Sequence, residues 1–482
     1  MRVCFVVEGC YPYVVGGVSS WVHSMIRSFP DIDFVILAII SGREQSGKFL
    51  YELPENVSQV YEVYLSDDDW GVQKRNSAGL KLDRDDYQAL RSLIQNREMN
   101  WNRVFDIFRR PEVSVDRILM GPDFLKIVKE VYEAEFPQIV FSDYLWTMRS
   151  IYLPLFLVLK TEIPNADLYH CVCTGYAGVL GSMATHFYGS KLIVSEHGIY
   201  TREREEEIIK AQWVKGIYKN IWIDQFRKMS SLAYSRAELV TSLFEHAREL
   251  QIEIGCPAEK TQVTPNGVNV ERLENLSSKE ADEMNLINIA AVLRITPIKD
   301  VKTMIQAFYY AFIRDNRLRL WLMGPTDENP KYAAECNDLC DYLGLQDVVH
   351  FTGRIDISNY LGRMDMTILT SISEGQPLTI LEGFAAHLPA IATDVGNCMG
   401  LINGENDNYG PAGIVTHVMN TEEIAEAILE LARDAEKRRQ FGENGYQRVT
   451  HGYRIQDMQA TYKNIYRNFA EKYGFEWKEN LD

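Results

Sequence analysis

The chain has 482 residues, 46% hydrophobic and 24% charged, with a formal net charge of −17. That balance is ordinary for a globular protein and argues against a disordered chain. The acidity argues against a nucleic-acid binder, which needs a basic face, and disfavours docking on anionic lipid by charge alone.

This length predicts two or three domains. The opening run Met1-Arg2-Val3-Cys4-Phe5-Val6-Val7-Glu8 reads as a buried first strand, interrupted too soon for a signal sequence. The most apolar stretch, Ile151 to Leu159, is about half the length that spans a bilayer. These features predict a cytoplasmic protein. The eight cysteines are scattered and read as reduced, mostly buried thiols. Cys171-Val-Cys173 lacks the usual zinc spacing. Asp67-Asp68-Asp69 could echo the acidic motif of metal-dependent transferases, but a solvated acidic loop reads the same; no metal site is expected.

Short apolar runs alternate with longer helical patterns, as in parallel α/β sheets. Strands are predicted at Val3–Val7, Phe34–Ile40, Gln138–Phe141, Leu168–Cys173, Lys191–Ser195 and Leu239–Ser242. A second series follows at Leu286–Leu293, Leu318–Met323, Val348–Thr352, Met366–Thr370 and Ala390–Thr393. Two doubly wound sheets fit better than one. Residues near 66–135 are rich in charge and helix formers and read as a helical insertion or lid. The turn signal Pro265-Asn266-Gly267 separates a first domain, 1–268, from a second, 269–451. Residues 452–482 read as an amphipathic terminal helix.

Three segments carry chemistry. The first, Glu8 to Val22, leaves the end of the first strand, where ligands of open α/β sheets bind. Its Gly16-Gly17 pair permits close approach of an anion to backbone N–H groups at a helix start, though a plain glycine turn would look the same. The second holds Arg294 and Lys299 just after a strand, two cations able to stabilise a departing diphosphate; a solvated loop is the alternative. The third, Ser371 to Ala386, is the most specific. Glu374 lies in a loop, Gly375 and Pro377 lead into a helix through Leu378, and Glu382 follows about five residues inside. At about 1.5 Å per residue the carboxylates would lie roughly 8–12 Å apart, with free helix N–H groups between them. Two acids favoured by the helix dipole are the plainer reading, which leaves Gly375 and Pro377 unexplained.

Glu374 and Glu382, with Arg294 and Lys299 before them, resemble the retaining glycosyltransferases of family 4, which have the GT-B fold. The stretches Glu8–His23 and Ser195–Arg204 are similar to those of glycosyltransferases of Pel exopolysaccharide systems. The resemblance implies two Rossmann-like domains facing across a cleft, an acceptor domain first and a nucleotide-sugar donor domain second. The terminal helix would cross back to the first domain. It implies a metal-independent hexosyltransferase with no cofactor, moving a sugar from a UDP-sugar, UDP-glucose foremost, to a glycan acceptor. Arg294 and Lys299 would grip the pyrophosphate, Glu374 the transferring sugar and Glu382 the ribose. Gly16 and Gly17 would form the phosphate-side loop. His170, His197 and Arg202 would face the acceptor or donor sugar, with His197 among the catalytic residues. Arg354 and Thr393–Asn397 also fall at strand ends in the second domain. Peripheral association with an inner-membrane polysaccharide complex is a further implication. A glycogen-synthase-like enzyme, a nucleotide-sugar epimerase and a non-catalytic sugar-nucleotide scaffold remain alternatives.

Overall fold

The computed structural model describes residues 1–66, 80–274, 276–281, 283–405 and 407–477. The Asp67–Asp69 run lies outside the described residues. The chain divides into two compact units, Met1–Val263 with Ile465–Asp482, and Thr264–Asn464.

The first unit holds a parallel sheet of seven strands: β1 (Arg2–Glu8), β2 (Asp33–Ile40), β3 (Val57–Tyr64), β4 (Leu168–Cys171), β5 (Lys191–Ser195), β6 (Leu239–Ser242) and β7 (Thr261–Val263). Their spatial order is β3-β2-β1-β4-β5-β6-β7. Val3–Val7 of β1 and Phe34–Ile40 of β2 are unbroken apolar runs because helices cover both faces of a parallel sheet. The chain runs outward from β1 through β2 to β3, then returns to place β4 against the other side of β1. The carboxyl ends of β1 and β4 therefore form the switch point where such sheets bind ligands.

Between β3 and β4 the chain is helical, at Arg84–Gln95, Trp101–Arg109, Val115–Leu119, Pro122–Glu135 and Phe141–Lys160. The predicted strand at Gln138–Phe141 is absent: Phe141 opens a 20-residue helix. These helices are no lid. Leu90, Val104, Phe105, Phe124, Ile127 and Phe156 are fully buried in the same core as the strands.

The second unit holds a parallel sheet of six strands: β8 (Ile287–Val292), β9 (Leu318–Met323), β10 (Val349–Gly353), β11 (Met366–Leu369), β12 (Ala390–Thr393) and β13 (Gly413–Thr416). The order β10-β9-β8-β11-β12-β13 puts its switch point at the carboxyl ends of β8 and β11. Both units are Rossmann-like.

The helix Ile455–Tyr473 is shared between the units at Asn464/Ile465. In the first unit, Tyr466 packs edge-on against Phe29. All eight cysteines carry free thiols. Among the described residues no helix is long and apolar enough to cross a membrane.

Candidate active site

In the second unit the switch point collects the predicted donor residues. The loop after β8 carries Arg294 and, after a 3-10 turn at Pro297–Lys299, Lys299. The loop after β11 carries Ser371, Glu374 and Gly375 and runs into the helix Leu378–Ala385. Adjacent parallel strands end side by side, so their following loops meet. The Ile372 amide donates to the Ile298 carbonyl (2.8 Å), and the buried Thr370 hydroxyl donates to the Lys299 and Asp300 carbonyls (3.1 and 3.2 Å).

The result is a close ion pair between Lys299 and Glu374, whose side chains are 16% and 12% exposed. The Ser371 hydroxyl donates to the same Glu374 oxygen. Arg294 is more open and donates from Nη1 to Glu328 Oε2 (2.9 Å), in the loop after β9. Each cation thus has a carboxylate of its own chain beside it, which spacing alone did not disclose.

The loop after β12 closes on this one. Thr393 Oγ1 donates to the Ser371 carbonyl (2.7 Å), and the Asn397 amide to the Gly375 carbonyl (2.8 Å). Gly396, at φ 53°, lies so near that a Cβ would stand 2.3 Å from the carbonyl oxygens of Glu374 and Gly375. From the other side, Gln376 Oε1 accepts from the buried Asn266 amide (2.7 Å). Arg354, after β10, is exposed and 3.9 Å from Asp327.

Pro377 stands at the cap position of the helix, just ahead of its first residue, Leu378. No side chain among the described residues caps this helix, so its first N–H groups are open to an anion. Glu382 sits one turn further and is half-buried. Burial pushes its carboxyl up to about 7, against the opposing pull of Arg272.

In the first unit, Gly16 precedes the helix Gly17–Ser28, which also lacks a side-chain cap among the described residues. Gly16 has an extended backbone (φ 176°), and a Cβ there would meet nothing within 4 Å. The chain's own packing therefore does not require glycine at 16. His197, just after β5, packs edge-on against Trp21 with ring centres 4.5 Å apart. Its Nε2 is buried without a hydrogen-bond partner among the described residues, and burial lowers the imidazole to about 4. His197 is therefore neutral near pH 7.

His170 is not where the sequence suggests. β4 ends at Cys171, so His170 lies inside the strand, in register with Phe5 and Ile193, and is fully buried. Its Nδ1 meets the Tyr466 hydroxyl and its Nε2 the Ser195 hydroxyl, both at 2.7 Å. It is a bonded core histidine, held neutral by burial and by His197, at about 3. Arg202 is exposed on the helix Tyr200–Lys210. Arg204, not Arg202, is the cation that acts on Glu8.

Two carboxylates escaped the sequence reading. Glu8, at the end of β1, accepts from the Tyr176 and Ala177 amides (3.0 and 3.4 Å) and the Tyr200 hydroxyl (3.1 Å). It thereby caps the helix Tyr176–Tyr188. Glu196, directly after β5, accepts from the Tyr234 hydroxyl (2.7 Å) and Gln251 Nε2 (2.9 Å). Burial raises both carboxyls. Their one sequence signal was an acid at a strand's carboxyl end.

Comparison with known proteins agrees with this architecture. A match to the MMP alpha-(1->4)-mannosyltransferase of Mycolicibacterium hassiacum is 23% identical over 286 residues, 58% of this chain and 65% of that protein. The N-acetyl-alpha-D-glucosaminyl L-malate synthase of Bacillus anthracis is 28% identical over 185 residues, 38% of this chain and 45% of that protein. The chain thus spans less than two thirds of the length of either relative. The Anabaena protein HepE, solved with UDP and glucose, superposes with a TM-score of 0.60 at 16% identity, covering 97% of this chain and 99% of that one. That likeness establishes the GT-B fold. The family model described as Domain of unknown function (DUF3492) matches residues 1–259, and the one described as Glycosyl transferases group 1 matches residues 274–448. With more than half of its length matched, the chain belongs to the DUF3492 family, and it carries a group 1 glycosyltransferase domain in its second unit.

Proposed function

We propose that the protein is a retaining, metal-independent hexosyltransferase that moves a sugar from a UDP-sugar, UDP-glucose foremost, to a growing glycan. The observation that carries this reading is the grouping at one switch point of Lys299, Glu374, the uncapped start of the helix Leu378–Ala385 and half-buried Glu382. The diphosphate would lie on the helix N–H groups and on Lys299, with Arg294 adding a second charge as the leaving group forms. Glu382 would accept from the ribose hydroxyls and Glu374 from the sugar. The similarity to a mannosyltransferase and to a glucosaminyl malate synthase supports sugar transfer, and HepE was solved with UDP and glucose. In this reading the acceptor binds the first unit, beside the glycine loop and His197. Its hydroxyl attacks on the face the diphosphate leaves, and the anomeric configuration is kept.

The resemblance of Glu8–His23 and Ser195–Arg204 to Pel-system glycosyltransferases supports a role in Pel-type exopolysaccharide synthesis, as the glycosyltransferase PelF on the cytoplasmic side, peripheral to an inner-membrane complex.

Calorimetric titration with UDP, ADP and GDP, without metal and then with magnesium, tests the donor site. UDP binding without metal, lost in Glu382→Ala, is expected. Failure of all three nucleotides to bind would overturn the reading. Release of UDP from UDP-glucose, depressed by orders of magnitude in Arg294→Ala, separates an enzyme from a binding scaffold.

A further inference from the structure

Lys299 and Glu374 are assigned to different parts of the same donor, yet they are bound to each other. Lys299 Nζ and the Ser371 hydroxyl both donate to Glu374 Oε1. The backbone beneath the pair is fixed by Thr370 and by the Ile372 amide, so the pair opens by side-chain movement alone. A diphosphate oxygen that takes Lys299 competes with Glu374 for the ammonium, and its negative charge repels the carboxylate beside it. The displaced carboxylate, only 12% exposed, then sits without its cation in a partly desolvated place, which is unfavourable unless another donor replaces the ammonium. Hydroxyls of a hexose supply such donors; UDP alone does not.

We infer that the Lys299–Glu374 pair is an exchangeable latch, which makes engagement of the diphosphate and recognition of the sugar a single coupled event and discriminates against the spent nucleotide. The inference rests on the donor reading above and extends it. Discrimination arises because UDP opens the latch without refilling it, whereas a UDP-hexose gives phosphate to Lys299 and hydroxyls to Glu374. Product release is thereby favoured once the sugar has left.

The test is a double-mutant cycle read by calorimetry with UDP, on the full chain: wild type, Glu374→Gln, Lys299→Met and the double variant, each checked by thermal melting. Breaking a charge-assisted bond of this kind should tighten UDP binding roughly tenfold in Glu374→Gln. In the Lys299→Met background the same change should add nothing, because Glu374 acts through Lys299. An equal gain in both backgrounds would mean that Glu374 merely repels phosphate, and would overturn the latch. No gain in either would overturn it too. If UDP bound none of the four proteins, the donor reading itself would fall with it. UDP binding to wild type without a Lys299-dependent gain would sink the latch alone.

Discussion

Replacing Glu382 by glutamine should make the protein more stable, by an amount that grows as pH rises from about 4.5 to about 7. Burial raises this carboxyl from its ordinary 4.5 to about 7. An acid whose folded value is raised resists ionisation in the folded state. The folded chain therefore bears no penalty below pH 4.5; the penalty grows as pH rises and is complete above about 7. At about 1.4 kcal/mol per tenfold, that gap corresponds to roughly 3 kcal/mol as an upper bound. Glu382 is only half-buried, so solvent screening brings the expected figure to about 1–2 kcal/mol. Glutamine keeps the shape and removes the charge. Thermal unfolding of wild type and Glu382→Gln at pH 4 and pH 8 measures the effect. The variant should match wild type within error at pH 4 and melt several degrees higher at pH 8. Equal midpoints at pH 8, or the same gain at both pH values, would refute the argument. A site residue that costs stability is expected where a desolvated charge waits for a ligand.

Three further outcomes are expected. His170→Leu removes a ring bonded to Tyr466 and Ser195 and should cost about 2–3 kcal/mol of stability, leaving the Kd for UDP unchanged; a catalytic role would show the reverse in melting and titration. Gly16→Ala adds a Cβ that meets nothing, so its Tm should not move, while turnover falls at least about tenfold if a ligand approaches this backbone; unchanged turnover removes the glycine loop from the site. Gly396→Ala forces a side chain into a positive-φ position 2.3 Å from two carbonyl oxygens of the Glu374 loop, and should both destabilise by about 1–3 kcal/mol and weaken UDP binding in calorimetry.

Local pattern made the central strands legible. β1, β2, β4, β5, β8, β9, β11 and β12 are buried on both faces, and their apolar runs could be read directly. The strands that were missed, β3, β7 and β13, are all sheet edges, short or half-exposed, where no run of apolar residues is demanded. The run Gln138–Phe141, which leads into the helix Phe141–Lys160, imitated a strand because four residues carry too little periodicity to tell the two apart. The helical segment read as either an insertion or a lid because its charges are frequent; its buried face is visible only once it packs on the sheet.

Two series of parallel strands, and the residue types gathered after β8 and β11, follow from local pattern alone, since spacing along one loop or one helix turn is a local property. Which partners those residues have depends on how the strands pack. Lys299 and Glu374 are 75 positions apart, and Arg294 and Glu328 are 34 apart. They meet because strand order, not chain order, sets which loops are neighbours. For the same reason His170 left the site for the core: its pairing with Tyr466 spans 296 positions and depends on where the last helix lies.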